Sequence, residues 1–170
     1  MSGPAARLAA RVSIRPGMDR WIGPDDGVVI AQAVALTALA WPGRGRWQLA
    51  APVRAVAACG LVGGAVFGIA AGSAHGSRLT PRVEPPPDAE LLTDGLYAVS
   101  RNPIYAGLLV AGAGWAVLRR RPAPVLAWVG LLATLTVKAR KEERRLGARF
   151  GDVYEEYRRR TPRFVGVPRP

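Results

Sequence analysis

Four stretches of this chain carry no charged side chain: 27–43, 55–74, 103–118 and 122–137. They limit the fold more than any other feature, because a bilayer core about 30 Å thick is crossed by roughly 20 apolar residues in a helix rising about 1.5 Å per residue. The 55–74 stretch meets that length. The other three are shorter, but the cations flanking them (Arg44, Arg101, Arg119, Arg120, Arg121 and Lys138) have long stems that can reach toward lipid headgroups. Mean hydropathy over the whole chain is only +0.10, so the average conceals strong segregation. No segment alternates strand-like patterns with amphipathic helices, which disfavours a soluble α/β fold. The expectation is an all-α, multi-pass membrane helix bundle of about four transmembrane helices. The last two are separated only by an arginine triplet and must therefore form an antiparallel hairpin.

Charge gives the bundle a direction. The 24 Lys and Arg outnumber the 12 Asp and Glu, for a net charge of +12. Such a balance calls for an anionic partner, either nucleic acid or an acidic membrane surface. The cations collect in the N-terminal segment, in the loop between the second and third stretches, and in the tail, which holds eleven of them from Lys138 onward. The opposite loops hold Arg44, Arg46 and the triplet. By the positive-inside rule both termini and any site built from that loop and the tail face the cytoplasm, in a multi-pass plasma-membrane protein. The tail cations are interleaved with Glu142, Glu143, Asp152, Glu155 and Glu156, which argues against nucleic acid and for the bilayer as partner. A secretory signal is a rival reading of the first stretch, since Ala38-Leu39-Ala40 has a small-x-small pattern. A lone Cys59 excludes an internal disulfide, and with a lone His75 it puts a Cys/His zinc site out of reach, so no metal is expected.

Three parts follow from these patterns. Residues 1–26 form a basic segment expected to be poorly ordered, 27–137 the bundle with a long loop at 75–102, and 138–170 a cytoplasmic amphipathic helix and tail. Gly60, Gly64, Gly68 and Gly72 recur every four residues and offer a face with almost no bulk, suited to close packing within the bundle or to a homodimer seam. The loop is long for so small a chain, which marks it as functional or disordered. It runs through Thr93-Asp94-Gly95 into Ser100-Arg101-Asn102-Pro103, and Pro103 suits the first turn of a helix. Arg101 and Asn102 thus stand at a helix N-terminus, where the dipole favours an anion. In the tail, Leu146, Phe150, Val153, Tyr154 and Tyr157 make an apolar stripe, as in a helix lying on the membrane surface. On this pattern alone Glu142 and Glu143 are solvated partners of Lys138, Arg145 or Arg149.

The runs Leu79-Thr80-Pro81, Glu90-Leu91-Leu92-Thr93-Asp94-Gly95-Leu96-Tyr97 and Arg101-Asn102-Pro103-Ile104-Tyr105-Ala106-Gly107 are followed in the tail by Glu142-Glu143-Arg144-Arg145-Leu146, Phe150-Gly151, Tyr154, Tyr157 and Arg163-Phe164. Together they resemble the isoprenylcysteine carboxyl methyltransferase and phospholipid methyltransferase group of integral membrane enzymes, over about residues 60 to 167. The resemblance implies S-adenosyl-L-methionine as cofactor, surrounded by Gly95, Leu96, Tyr97, Arg101, Asn102, Pro103, Tyr105, Glu142 and Glu143, with Arg101, Asn102 and Tyr105 at the reacting end. It assigns Arg101 to the cofactor carboxylate, a glutamate to its ammonium or ribose hydroxyls, and Tyr97 and Tyr105 to the adenine or the sulfonium. Two positions depart from the pattern: Asn102 stands where many members have His, and Leu96 where Pro is usual.

Methyl transfer from a sulfonium is an in-line displacement that mainly requires alignment. An amine acceptor must also lose a proton to a base, and His75, the chain's single imidazole, lies in a part of the loop without a motif. The expected function is therefore methylation of an amphiphilic acceptor reached from the bilayer, by carboxyl O-methylation. The alternatives are a phospholipid amine N-methyltransferase and a non-catalytic helix-bundle scaffold.

Overall fold

A computed structural model describes residues 26–41, 46–73 and 91–166. The basic segment before residue 26, the whole first half of the 75–102 loop with its His75 and Leu79-Thr80-Pro81, and Glu90 after it lie outside the described residues. The chain is all-helical there: α1 Asp26–Ala40, α2 Ala51–Ser73, α3 Leu96–Val99, α4 Pro103–Leu118, α5 Pro122–Phe150 and α6 Asp152–Arg160. Two of these, α2 and α5, are long and apolar enough to cross a membrane, while α1 and α4 are apolar but shorter. A count of four crossings thus exceeds what helix length alone supports.

The helices pack in the order α2, α4, α5, α1. Contact between α2 and α4 is the most extensive, and it depends on missing side chains. A Cβ on Gly64 would come within 2.5 Å of the Ala111 nitrogen and 2.7 Å of the Gly107 oxygen. Half of the glycine ladder's expected role is thereby filled inside the chain, since at Gly64 and Gly68 its face is occupied by α4 rather than open to a second copy. On the other flank Ala35 and Leu39 of α1 join Leu109, Ala116, Leu131 and Leu135 in the main apolar core. Here α1 is a working part of the bundle. The Trp128 indole donates to the Leu109 carbonyl at 2.9 Å, tying α5 to α4 where no water is needed to satisfy it.

The outer faces are as informative as the core. Val56, Val62, Val66 and Ile69 on α2 are all more than 60% exposed, as are Val34 on α1 and Leu126 on α5. Only 22% of the apolar window of α2 and 28% of that of α5 is buried. A core helix of a soluble domain would be covered, and large contiguous apolar surfaces mark an interaction with lipid or protein.

The two ends of the bundle differ. At one, Trp115 donates to the Leu39 carbonyl at 3.1 Å, Arg119 lies 5.5 Å over the Trp115 ring, and the Trp47 N–H donates to the Arg120 carbonyl at 3.1 Å. Arg120 takes a positive φ of 54°, which turns α4 into α5 over three residues. This end has the Trp and Arg content of a membrane interface. All four tyrosines lie at the other end, where the 91–102 turn, α6 and the polar half of α5 converge.

The tail departs from expectation in two ways. No new helix starts at Lys138. Instead α5 continues through it to Phe150, about 43 Å at 1.5 Å per residue, because a change from apolar to charged side chains alters the surroundings of a helix without interrupting its hydrogen bonds, and extending a helix is easier than nucleating one. The break comes at Gly151, whose φ of 53° favours glycine. The apolar stripe also splits. Val153 is exposed, but Tyr154 and Tyr157 are buried against the protein, with ring centroids 6.1 Å apart in an edge-to-face pair. Part of the stripe expected to touch lipid therefore covers the 97–101 turn.

Candidate functional site

The turn before α4 is fixed by the tail. The Arg101 N–H donates to the Pro162 carbonyl at 2.9 Å and the Asn102 N–H to the Arg163 carbonyl at 3.1 Å. The fully buried Ser100 hydroxyl donates to the same Arg163 oxygen at 3.2 Å. From α6, the Tyr157 hydroxyl donates to the Tyr97 carbonyl at 2.7 Å. Residues more than sixty positions apart are thus clamped backbone to backbone, and Arg101 and Asn102 are held against α5.

Glu143 is the hub. It is 7% exposed and accepts from Arg163 Nε at 2.9 Å and Nη2 at 2.7 Å, a bidentate fork. Asn102 Nδ2 donates to it at 3.3 Å, and Arg101 Nη2 lies 3.4 Å away. Its oxygens are taken up by protein partners, so the solvated pairing expected of it gives way to a buried ionic node. The fork also keeps Arg163 charged, raising its pKa.

Glu142 stands on the adjacent side of α5 and accepts from the Tyr105 hydroxyl at 2.7 Å. That is its one hydrogen bond among the described residues. The Lys138 ammonium, one turn earlier and only 5% exposed, lies 5.3 Å over the Tyr105 ring and donates to Gln32 of α1 at 3.2 Å. Glu142 is therefore also drawn into protein, and a polar row runs from α1 through Lys138 and Tyr105 to it.

Arg101 is the unsettled member. Its side chain is 9% exposed and one nitrogen faces Glu143, while Nε and Nη1 are buried with no hydrogen-bond acceptor among the described residues, close to the buried Tyr154 hydroxyl. A buried charged donor left unpaired costs free energy. Three phenols surround this region as neutral hydroxyls. Desolvation, then the Glu142 charge, pushes Tyr97 up to about 12. Desolvation and Glu143 push Tyr154 up to about 12 against the pull of Arg101. Burial, followed by neighbouring Tyr154, raises Tyr157 as well.

Five of the residues expected at the site meet here: Arg101, Asn102, Tyr105, Glu142 and Glu143. Tyr97 joins them through α6. Pro103 is fully buried at the first turn of α4, where it sets direction and offers no surface. Gly95, with a positive φ of 60°, and Leu96 open the short helix α3 and flank the cluster. Arg163, Tyr154, Lys138 and Gln32 were not among the expected site residues. Arg163 and Tyr154 were visible only as parts of tail motifs, and nothing in the local sequence distinguishes Gln32.

The chain is 34% identical over 82 residues to the protein-S-isoprenylcysteine O-methyltransferase of Schizosaccharomyces pombe, a stretch amounting to 48% of this chain and 34% of that protein. The chain thus spans about a third of the length of the curated relative it matches. No family model matches it, and no solved structure matches it. The relative's name points to a methyltransferase.

Proposed function

We propose that the chain is an integral membrane methyltransferase that uses S-adenosyl-L-methionine and acts on an amphiphilic acceptor, by carboxyl O-methylation, at the cytoplasmic face. The observation that carries the reading is Arg101: two buried guanidinium donors without an acceptor among the described residues stand beside Glu142, a carboxylate with a single hydrogen bond among them. The donor set suits a zwitterionic ligand. Arg101 would hold its carboxylate, and Glu142 its ammonium or hydroxyls. Glu143 is already engaged and serves to orient Arg101 and Asn102. The partial identity with the yeast enzyme supports the same class.

When bound, the cofactor supplies an activated methyl group. The residues contribute placement: the 100–102 backbone is pinned by the tail, Tyr105 is pinned by Glu142 and Lys138, and the exposed apolar faces of α2 and α5 give a lipid-soluble acceptor a route from the bilayer. Asn102 is a neutral amide and the neighbouring phenols stay protonated, so the group left to take a proton among the described residues of the cluster is Glu142, whose carboxyl pKa is raised by burial and which the cofactor would occupy. A carboxylate acceptor needs no base. An amine acceptor does.

The test is calorimetry of S-adenosyl-L-methionine binding to the protein in nanodiscs. Arg101→Ala is expected to weaken affinity by about 10- to 100-fold, the worth of charge-assisted hydrogen bonds, with helix content unchanged by circular dichroism. Unchanged affinity removes Arg101 from the site, and no binding by the folded parent defeats the proposal. With labelled cofactor, a base-labile ester product separates carboxyl methylation from a methylated amine.

A further inference from the structure

Adjoining this cluster, and sharing its Glu143–Arg163 pair, a cleft of about 380 Å³ lies between the polar half of α5, α6 and the tail. Arg140, Arg144, Arg158 and Arg163 line it together with Glu143 and Glu155. Both carboxylates are already paired, Glu143 with Arg163 and Glu155 with Arg158 at 2.9 Å. Arg140 and Arg144 are exposed and have no ion pair among the described residues. They sit four residues apart on one helix face, where like charges repel. The fold thus gathers, at the edge of a concave surface, two guanidinium groups with no ion pair among the described residues, an arrangement that an anion relieves.

Position identifies the anion. The apolar part of α5 ends at Val137, so Arg140 lies about 4.5 Å and Arg144 about 10.5 Å farther along the axis. The headgroup layer beyond the hydrocarbon core is about 5 to 7 Å thick. If α5 crosses the bilayer, Arg140 stands within the headgroup layer and Arg144 just beyond it, from where its long stem reaches back to phosphate, on the leaflet that the positive-inside rule assigns to the cytoplasm.

We infer that the Arg140–Arg144 cleft binds the phosphate headgroup of an anionic phospholipid. The inference rests on the membrane placement proposed above and is independent of methyl transfer. Two guanidinium groups at a membrane surface supply the attraction, and the fork geometry matches phosphate oxygens.

The experiment uses the full chain in phosphatidylcholine nanodiscs with and without phosphatidylglycerol, and reads retained phosphatidylglycerol by native mass spectrometry. The double variant Arg140→Gln, Arg144→Gln is expected to bind it about 10- to 30-fold more weakly than the parent, each cation near the surface contributing roughly a factor of five. The control, Arg159→Gln with Arg160→Gln, removes the same charge from exposed positions paired with Glu156 and is expected to stay within about twofold. Equal weakening by both variants means a general charge effect and overturns the inference, as does no weakening by the first. Displacement of the lipid by inorganic phosphate at equal concentration overturns the lipid assignment. A chain that fails to enter nanodiscs defeats the membrane placement instead, and circular dichroism confirms that each variant is folded.

Discussion

Where α2 crosses α4, the chain is held by what is missing: Gly64, Gly68 and Gly107 let two backbones touch, with no charged group nearby. At the tyrosine end it is held by what is present, since one carboxylate, Glu143, gathers Arg101, Arg163 and Asn102 from a turn and a tail far apart in sequence. The two regions solve the same problem in different media. In an apolar environment association depends on close van der Waals contact, and a single added atom is costly. At a polar boundary the helices need not touch, but the charges must balance. The first region gives the bundle its shape and the second gives it chemistry.

The largest expected effect is a way to break the first region. Gly63 and Gly64 are neighbours on α2 and make a matched pair. A Cβ on Gly63 meets nothing within 4 Å, whereas one on Gly64 meets α4 backbone at 2.5 Å. Gly63→Ala should stabilise slightly, by up to about 1 kcal/mol, from helix propensity alone. Gly64→Ala should destabilise by about 3 kcal/mol or more, because backbone rather than a side-chain tip must move. Thermal unfolding in detergent or nanodiscs reads both. Equal effects at the two positions would mean that α2 and α4 do not touch as described.

A smaller effect is expected in the second region. Glu143→Gln keeps the shape and one acceptor but leaves Arg101 and Arg163 without their counter-charge, which should cost about 3 kcal/mol of stability if the node behaves as a buried pair. Glu142→Gln retains an oxygen for the Tyr105 hydroxyl and should cost less than about 1 kcal/mol, while weakening cofactor binding. The comparison thus separates a glutamate that holds the fold from one with capacity for a ligand. Reversed stability effects would exchange their roles.

The two regions were also unequally legible in the sequence. Helix identity and the hairpin followed from uncharged stretches and a three-residue gap, whereas the convergence of Arg101, Asn102 and Tyr105 with Glu142 and Glu143 was implied only by the family resemblance and not by the residues' own pattern. Helix ends did not follow from either. The change at Val137–Lys138 reads as a boundary because charge reports the medium, whereas the helix itself stops only at Gly151. The pairing of Glu143 was hidden for a related reason. Local rules place helix charges with partners three or four residues away, yet its partners are 20, 41 and 42 residues distant and meet it only because the tail folds back over the turn. Tyr154 and Tyr157 fit a lipid-facing stripe equally well until the turn they cover is in place.

The smallest expected effect sharpens the contrast by using the aromatic residues as separate reporters. Every tyrosine lies at the polar end, while among the described residues Trp41, Trp47 and Trp115 lie toward the opposite end and Trp128 packs between α5 and α4. In the unfolded chain tyrosines ionise around their ordinary value of 10.0, but in the folded chain Tyr97 and Tyr154 are pushed up to about 12 and Tyr157 is raised too. Below pH 10 the hydroxyls are protonated in both states, and stability does not depend on them. Between pH 10 and about 12 the unfolded chain releases protons that the folded one keeps, so stability falls as pH rises. Tyrosinate absorbance should therefore lag the ordinary titration, and its rise should mark the loosening of α6 from the 97–101 turn. Tryptophan fluorescence, reporting on the end of the bundle away from the tyrosines and on the α4–α5 contact, should hold through the onset of that rise. A titration centred at 10 in folded protein would show that the tyrosine end is open to water, and simultaneous change in both signals would show that the two halves unfold as one.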